Sequence, residues 1–351
     1  MAEDGLPGVD LERLKTFLDD VKPGLIQAQL QASLIAGGKS NLTCTLTDGH
    51  SEWVLRRPPL GHVLATAHDM HREYRVLTAL GSSDVPVPLT IVECTDTDVL
   101  GAPFYVMEKV AGHTYRLSRD LLPLGDDRVC TISTKMVDTL ATLHAVDPAA
   151  VGLADFGKAE GFLARQVSRW RKQLDCSRSR AIPGIEELHE SLEKLVPAES
   201  EASIVHGDYR LDNLLIDDDD NVAALLDWEM STLGDPLTDV ALIVAYAELA
   251  TMPGGRAVAD AASAPGFLSA DDMLARYADL SGRDVSKIGF YVAFTYFKTA
   301  VIAEGIHYRF TQGKTVGAGF EAAGIMVEPL VSAGLAALGQ IPSHRSTVKE
   351  I

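Results

Sequence analysis

Cysteine is scarce in this 351-residue chain. Cys44, Cys94, Cys130 and Cys176 lie at least 36 positions apart, so there is no C-x-x-C pair and no zinc-finger spacing. Scattered thiols of this kind suit a reducing, cytoplasmic setting. Basic residues are also few: 31 Lys and Arg stand against 49 Asp and Glu, a net charge of −18. Nucleic acid and anionic membranes both require a basic footprint, so the balance argues against either as the main partner. Long apolar runs are missing as well. The most continuous, 240–247, has 8 residues, far below the length of a membrane span. The opening stretch MAEDGLPGVD has neither the basic segment nor the apolar core of a secretory leader, which adds to the expectation of a cytoplasmic location. No internal repeat occurs, and the only low-complexity tract is DDDD at 217–220. Nothing in the composition points to a protein partner.

Apolar residues make up 46% of the chain, enough for a globular protein with one large domain or two lobes. Residues 10–20 carry a helical stripe of Leu11, Leu14, Phe17 and Leu18. From about 27 to 110 the pattern is mostly that of strands (28–35, 41–47, 52–57, 89–93 and 103–109), interrupted by one helix over 68–80. Beyond the VAGHT segment the period changes. Helices are expected at 127–146, 158–174, 185–195, 236–250, 271–280, 287–312 and 319–338. The expected fold class is therefore α+β, with a small strand-rich N-terminal lobe over 1–110 and a large helical lobe over 111–351.

The chemistry-bearing stretch is HGDYRLDN, His206 to Asn213, followed fourteen residues on by DWE at Asp227 to Glu229. The apolar runs LLI and VAALLD flank the turn DDDDN, which reads as a hairpin that returns Asp227 close to Asn213. A carboxylate and an amide carbonyl are hard oxygen donors, suited to Mg²⁺ carried in with a nucleotide. Asp208, at the mouth of the same loop, could instead accept a hydroxyl proton. Phosphoryl transfer needs little beyond positioning, charge neutralisation by metal and one base. The plainer alternative is a polar loop whose Asp and Asn cap turns.

The pair HGDYRLDN and DWE resembles the H-R-D-x-x-x-x-N and D-F-G motifs of protein kinases, with the same Asp-to-Asn spacing and Gly in place of Arg. That variant is similar to the aminoglycoside phosphotransferase family of small-molecule kinases. Within it, HGDYRLDN, DWEMSTLGDPLTD and EGIHYRF most resemble the kinase-like domains fused to acyl-CoA dehydrogenases. The resemblance spans about 28–310. It implies a two-lobed protein-kinase-like fold, with ATP (or GTP) and Mg²⁺ as cofactors and a small-molecule hydroxyl as acceptor. By the same resemblance Asp208 is the catalytic base, Asn213 and Asp227 are the metal ligands, and His206 is a scaffold residue. Arg210, two residues after the base, would touch the γ-phosphate.

The rest of the kinase pattern is only partly kept. Arg56, in the strand EWVLRR, stands where the family usually has Lys, and strand alternation turns Arg57 to the opposite face. Glu73, bordering the apolar face of its helix, is the expected partner of Arg56. LIAGGKSN ends like a Walker A loop, but its first glycine position is Ser33 and a strand follows. Gly37, Gly38, Ser40 and Asn41 are therefore read as a strand-turn-strand lid with backbone N–H groups for phosphates; a plain hairpin turn is the alternative. Glu108 to Val110 would be the hinge offering backbone groups to adenine. Asp235 and Asp239 suit a helix N-cap and a scaffold better than metal binding.

Three functions are compatible with this pattern. The first is phosphorylation of a hydroxylated acyl or similar anionic metabolite. The second is the same chemistry on an aminoglycoside, choline-like or sugar acceptor. The third is a catalytically weak nucleotide-binding regulatory module. Within the helix expected at 287–312, the stretch FTYFKTAVIAEGIHYRF favours the first, being largely apolar, with Lys298, His307 and Arg309 as its cations beside Glu304.

Overall fold

The computed structural model describes residues 6–35, 41–59, 69–198, 201–250, 252, 260–315 and 320–339. The chain begins with α1 (Leu11–Val21), β1 (Gln31–Leu34), β2 (Leu42–Thr47), β3 (Glu52–Arg57), α2 (Met70–Leu80), β4 (Thr90–Cys94), α3 (Thr97–Leu100) and β5 (Phe104–Glu108). It continues through α4 (Ser118–Leu121), α5 (Asp126–Ala145), α6 (Phe162–Ser177), α7 (Ile185–Lys194), β6 (Ser203–Val205), β7 (Leu214–Ile216), β8 (Val222–Leu225) and β9 (Thr232–Gly234). The last helices are α8 (Leu237–Leu249), α9 (Ala270–Ser281), α10 (Ile288–Thr311) and α11 (Ala323–Gly339). Among the described residues no helix is long and apolar enough to cross a membrane.

The chain divides into two compact units. Unit 1 takes residues 1–113, 149–153 and 213–231; unit 2 takes 114–148, 154–212 and 232–351. Unit 1 is built on an antiparallel five-stranded sheet in the order β1-β2-β3-β5-β4. Alternation along β3 and β5 decides which side chains share a face. Trp53, Leu55, Phe104 and Val106 join Leu14 and Leu18 of α1 in one apolar core. Val54, Arg56, Tyr105 and Met107 face the other way, toward the side on which α2 packs. The hairpin β7–β8 belongs to this unit, paired Leu214↔Leu225 and Leu215↔Ala224. Its DDDDN turn closes on Asp217, whose carboxylate accepts the N–H groups of Asp219 and Asn221, and Asp220 adopts φ 62°. It is a hairpin turn, as its composition suggests.

Unit 2 is helical. The long apolar α10 packs against α6, α7, α8 and α11, and α5 packs against α9 and β6. β6 pairs antiparallel with β9, through Ser203↔Gly234 and Val205↔Thr232. Nearly every expected helix forms within a few residues of its expected limits. The largest displacements are at two starts: α6, expected at 158 and observed at Phe162, where Gly161 in the left-handed conformation delays helix entry, and α11, expected at 319 and observed at Ala323.

Candidate active site

The site-bearing residues of unit 1 gather around Arg56. Its position on β3, opposite Thr43 and Tyr105 on the neighbouring strands, points it toward α2. Its Nε lies 2.9 Å from Glu73 Oε2 and its Nη2 donates to Asp227 Oδ1 at 2.5 Å. The expected Arg56–Glu73 pair is thus present, and Asp227 completes a second ion pair on the same guanidinium. Glu229 Oε2 stands 3.9 Å from Arg56 Nη2. Tyr105 donates its hydroxyl to Glu73 Oε2 at 3.1 Å, and Asn41 Nδ2 donates to Glu73 Oε1 at 3.2 Å and to Glu229 Oε2 at 3.3 Å.

The charges in this cluster are unbalanced, with three carboxylates around one guanidinium. Burial and the neighbouring acids push the Glu73 carboxyl up, to about 7, although Arg56 pulls the other way. Burial disfavours the charge of Arg56, and Glu73, Tyr105 and Asp227 more than offset it, so its pKa is raised. Arg57 points to the opposite face, as alternation requires. It is buried against backbone carbonyls, donating to Gly8 O and, at 2.8 Å, to Leu100 O.

The hairpin returns the chain from Asn213 to the residue before Asp227. Leu226 N–H donates to Asn213 O at 2.8 Å, and Asp227 follows at once in a left-handed conformation, φ 65°. A non-glycine residue rarely holds that conformation unless its surroundings impose it. Here Trp228 is buried beside it, its Nε1 donating to Leu225 O at 3.0 Å. One carboxylate and one amide oxygen make a hard-donor pair that fits Mg²⁺ whose other ligands are phosphate oxygens and water.

Gly37, Gly38 and Ser40 lie outside the described residues. Asn41, the last member of the expected lid, is described, and its side chain turns into the Arg56 cluster. At the expected hinge the strand ends with Glu108, whose N–H donates to Leu89 O at 2.9 Å, and Val110 lies in the non-repetitive segment beyond it.

Unit 2 carries the loop from His206 to Asp212. Asp239, fully buried in the first turn of α8, holds it: Oδ2 accepts His206 N–H at 2.6 Å and Oδ1 accepts Gly207 N–H at 2.8 Å. His144 of α5 sits 3.4 Å from Asp239 Oδ2 and bonds Tyr277 at 2.8 Å. Burial pushes the Asp239 carboxyl up, yet His144, His206 and Gly207 hold it below the usual range. Asp235 accepts from Leu237 N–H at 3.0 Å and from Tyr291 at 2.8 Å, so both acids after the DWE segment are scaffold groups. Asp208 N–H faces His206 Nδ1 at 3.3 Å, and Tyr209 is buried with its hydroxyl donating to Met136 O at 2.7 Å. Neighbours on either side of Asp208 are therefore anchored inward.

Arg210 has its fork on Asp212, with Nε–Oδ1 at 2.5 Å, and its guanidinium lies 5.1 Å from the Tyr246 ring centre. The helix read as an acceptor wall is α10. Phe294, Tyr296, Phe297 and Val301 are core residues, Ile302 is exposed and Ile306 is half-buried. Glu304 is fully buried and accepts Ser179 N–H, the Ser179 hydroxyl and Arg180 Nε at 2.9, 2.6 and 3.1 Å. Of the three cations, Lys298 reaches the loop, with Nζ 3.4 Å from Gly207 O. Tyr105, Glu229, Asp212 and Lys298 are the contributors whose contacts sequence reasoning missed. For Tyr105 a signal existed, since it lies on the same strand face as Met107 and opposite Arg56.

The chain is similar to known proteins over most of its length. The phosphotransferase enzyme family matches residues 31–278. Acyl-CoA dehydrogenase family member 11 of Homo sapiens is 35% identical over 338 residues, which cover 93% of this chain and 43% of the human protein. The chain thus spans less than half the length of that relative. Among solved structures, a Ralstonia eutropha protein assigned to the aminoglycoside phosphotransferases is 32% identical, with a TM-score of 0.82 and coverage of 94% of this chain and 98% of that one. A ternary complex of aminoglycoside phosphotransferase APH(4)-Ia with AMP-PNP and hygromycin B shares the fold at 14% identity, with a TM-score of 0.60 and coverage of 92% and 98%. Together with an antiparallel sheet bearing a buried arginine–glutamate pair and a helical unit carrying the HGDYRLDN loop, these likenesses establish that the chain is a protein-kinase-like member of the phosphotransferase enzyme family.

Proposed function

We propose that the protein transfers the γ-phosphoryl group of ATP, as its Mg²⁺ complex, to a hydroxyl of a hydroxylated acyl metabolite. The observation that carries the nucleotide half is the Arg56 cluster, which assembles a cation, its supporting glutamate and the Asp227 carboxylate within one unit. Arg56 binds phosphate oxygens, with Glu73 and Tyr105 fixing its fork. Asn213 and Asp227 hold the metal, which supplies charge neutralisation at the phosphates. Asp208 takes the acceptor hydroxyl proton as that oxygen bonds to the γ-phosphorus; the bond from phosphorus to the bridging oxygen breaks and ADP leaves. His206, through its backbone N–H on Asp239, keeps the loop in place while the proton moves.

The acyl assignment has two supports. A relative at 35% identity is named for acyl-CoA dehydrogenation, although this chain corresponds to 43% of it. Glu304, the one acid on the described face of α10 near the cations, is spent on Ser179 and Arg180. A polycationic antibiotic would need acids to pair with its ammonium groups.

The test is a phosphotransfer screen with Mg-ATP and Mg-GTP against hydroxyacyl-CoA compounds, aminoglycosides, choline and sugars. Hydroxyacyl compounds are expected to give the highest kcat/KM. Aminoglycosides ahead by tenfold, about 1.4 kcal/mol in transition-state binding, would overturn the acceptor. Absence of transfer to every acceptor, with nucleotide still bound, would favour a regulatory nucleotide-binding module instead.

A further inference from the structure

Lys298 is out of place by composition. It sits in the middle of α10, where Phe294, Tyr296, Phe297, Ala300 and Val301 are all buried. An ammonium taken into such surroundings is costly unless something compensates it. Four groups of unit 2 do so. Its Nζ lies 3.4 Å from the Gly207 carbonyl oxygen. It stands over the Trp170 ring of α6, 5.7 Å from the centre, in a cation–π contact. Its charge is attracted by Asp208 and, to a lesser degree, by Asp239. Burial still pulls its pKa down.

The cation nearest to Asp208 in sequence is Arg210, two positions further along and expected to touch the γ-phosphate. That guanidinium is committed to Asp212 and to the face of Tyr246. Lys298 arrives from a helix ninety residues away in sequence and meets the loop at the peptide between Gly207 and Asp208.

We infer that Lys298 is a positioning residue for Asp208: its ammonium, seated on Trp170 and bonded to Gly207 O, fixes the orientation of the Asp208 carboxylate by charge and by its hold on the preceding peptide. This rests on the reading of Asp208 as the base. Other charged or titratable groups also face this pair. Arg169 of α6 opposes the Lys298 charge, Asp239 and Tyr246 approach from α8, and His206, Arg210 and Asp212 belong to the loop itself. Arg210 is held in a carboxylate fork, whereas Lys298 rests on a carbonyl and a ring.

Two measurements on the full chain test the inference. The first is competitive acetylation with acetic anhydride across pH, read by mass spectrometry, which reports the titration midpoint of Lys298 without any substrate. Asp208→Asn should move that midpoint down by about one pH unit; an unmoved midpoint overturns the inference. The second is turnover of Mg-ATP with a mixed hydroxyacyl-CoA pool. Lys298→Met should lower kcat on the order of 10–100-fold, leave KM for Mg-ATP within about twofold, and shift the acidic limb of the kcat profile to higher pH. Lys298→Arg should recover part of the loss, which a purely structural role at an apolar site would not produce. If Asp208→Asn is inactive while Lys298→Met keeps the wild-type rate and profile, the positioning role is overturned and the base survives. If Asp208→Asn retains turnover, the base assignment itself has failed.

Discussion

The Arg56 cluster of unit 1 and the His206–Asp212 loop of unit 2 handle buried charge in opposite ways. Around Arg56, side chains hold side chains. Three carboxylates share one guanidinium, and the excess of acid leaves Glu73 with its pKa raised to about 7. Around the loop, one fully buried carboxylate, Asp239, holds two backbone N–H groups and is itself kept ionised. The first arrangement is open to rearrangement when charge arrives, as a nucleotide and metal would bring it. The second is fixed, because displacing Asp239 strands the donors it holds. On the proposed function, positioning the base and responding to the nucleotide would fall to different parts of the chain.

The largest break in this contrast should come from Asp208→Asn. It leaves the Asp239 scaffold intact and removes only the base, so kcat should fall by about 10²–10⁴-fold with nucleotide binding preserved. Steady-state kinetics and calorimetry on one preparation would separate the two effects; wild-type turnover would end the assignment. Asp239→Ala attacks the scaffold instead. It takes the shared carboxylate from the N–H groups of buried His206 and half-buried Gly207 and from His144, and should cost on the order of 3–5 kcal/mol in urea unfolding along with activity.

In unit 1 the comparison of Asp227→Ala with Asn213→Ala is sharper than either alone. The charged donor offsets more of the metal's charge than the amide, so Mg-ATP affinity should fall further for Asp227→Ala in a calorimetric titration. Equal, unchanged affinities would remove the metal site. The neighbouring arginines should split by property. Arg56→Ala should weaken activity by roughly tenfold or more with modest loss of stability. Arg57→Ala should leave activity nearly intact and lower the melting temperature, since it strands the Gly8 and Leu100 carbonyls.

The smallest effect is a pH dependence. The folded pKa of Glu73, about 7, lies above its ordinary value of 4.5, so folding favours the protonated form. Its contribution to stability is complete below about 4.5 and is lost as pH rises through about 7. The urea midpoint of the wild type should decline across that window, and Glu73→Gln should flatten the decline. A wild-type curve with no slope there would contradict the buried, acid-crowded setting of Glu73.

Much of this contrast is legible in the amino-acid sequence. Asn213 and Asp227 follow from spacing around one hairpin, because local alternation and turn chemistry return the chain to the level of Asn213 over few residues, and Asp208 is read from its motif. The opposed faces of Arg56 and Arg57 follow from the period of a strand. Glu73 depends on which helix covers that face, and it is legible because its helix has one apolar stripe. Glu229, Asn41 and Tyr105 are harder. Their partners lie 188, 32 and 32 residues away, and no local rule selects a hydrogen bond over such separations.

The chain by itself determined the order of strands and helices, the paired motifs and the family, since these rest on periodicity and short-range spacing. Tertiary structure alone decided which groups each cation meets. Arg210 is nearest to Asp208 in sequence, yet it folds back onto Asp212, while Lys298 is brought up by the packing of α10 against α6 and α8. Burying a charge costs desolvation, so a buried cation settles where packing brings polar or aromatic groups that offset that cost. The sequence names the charges, and the packed core decides which of them meet.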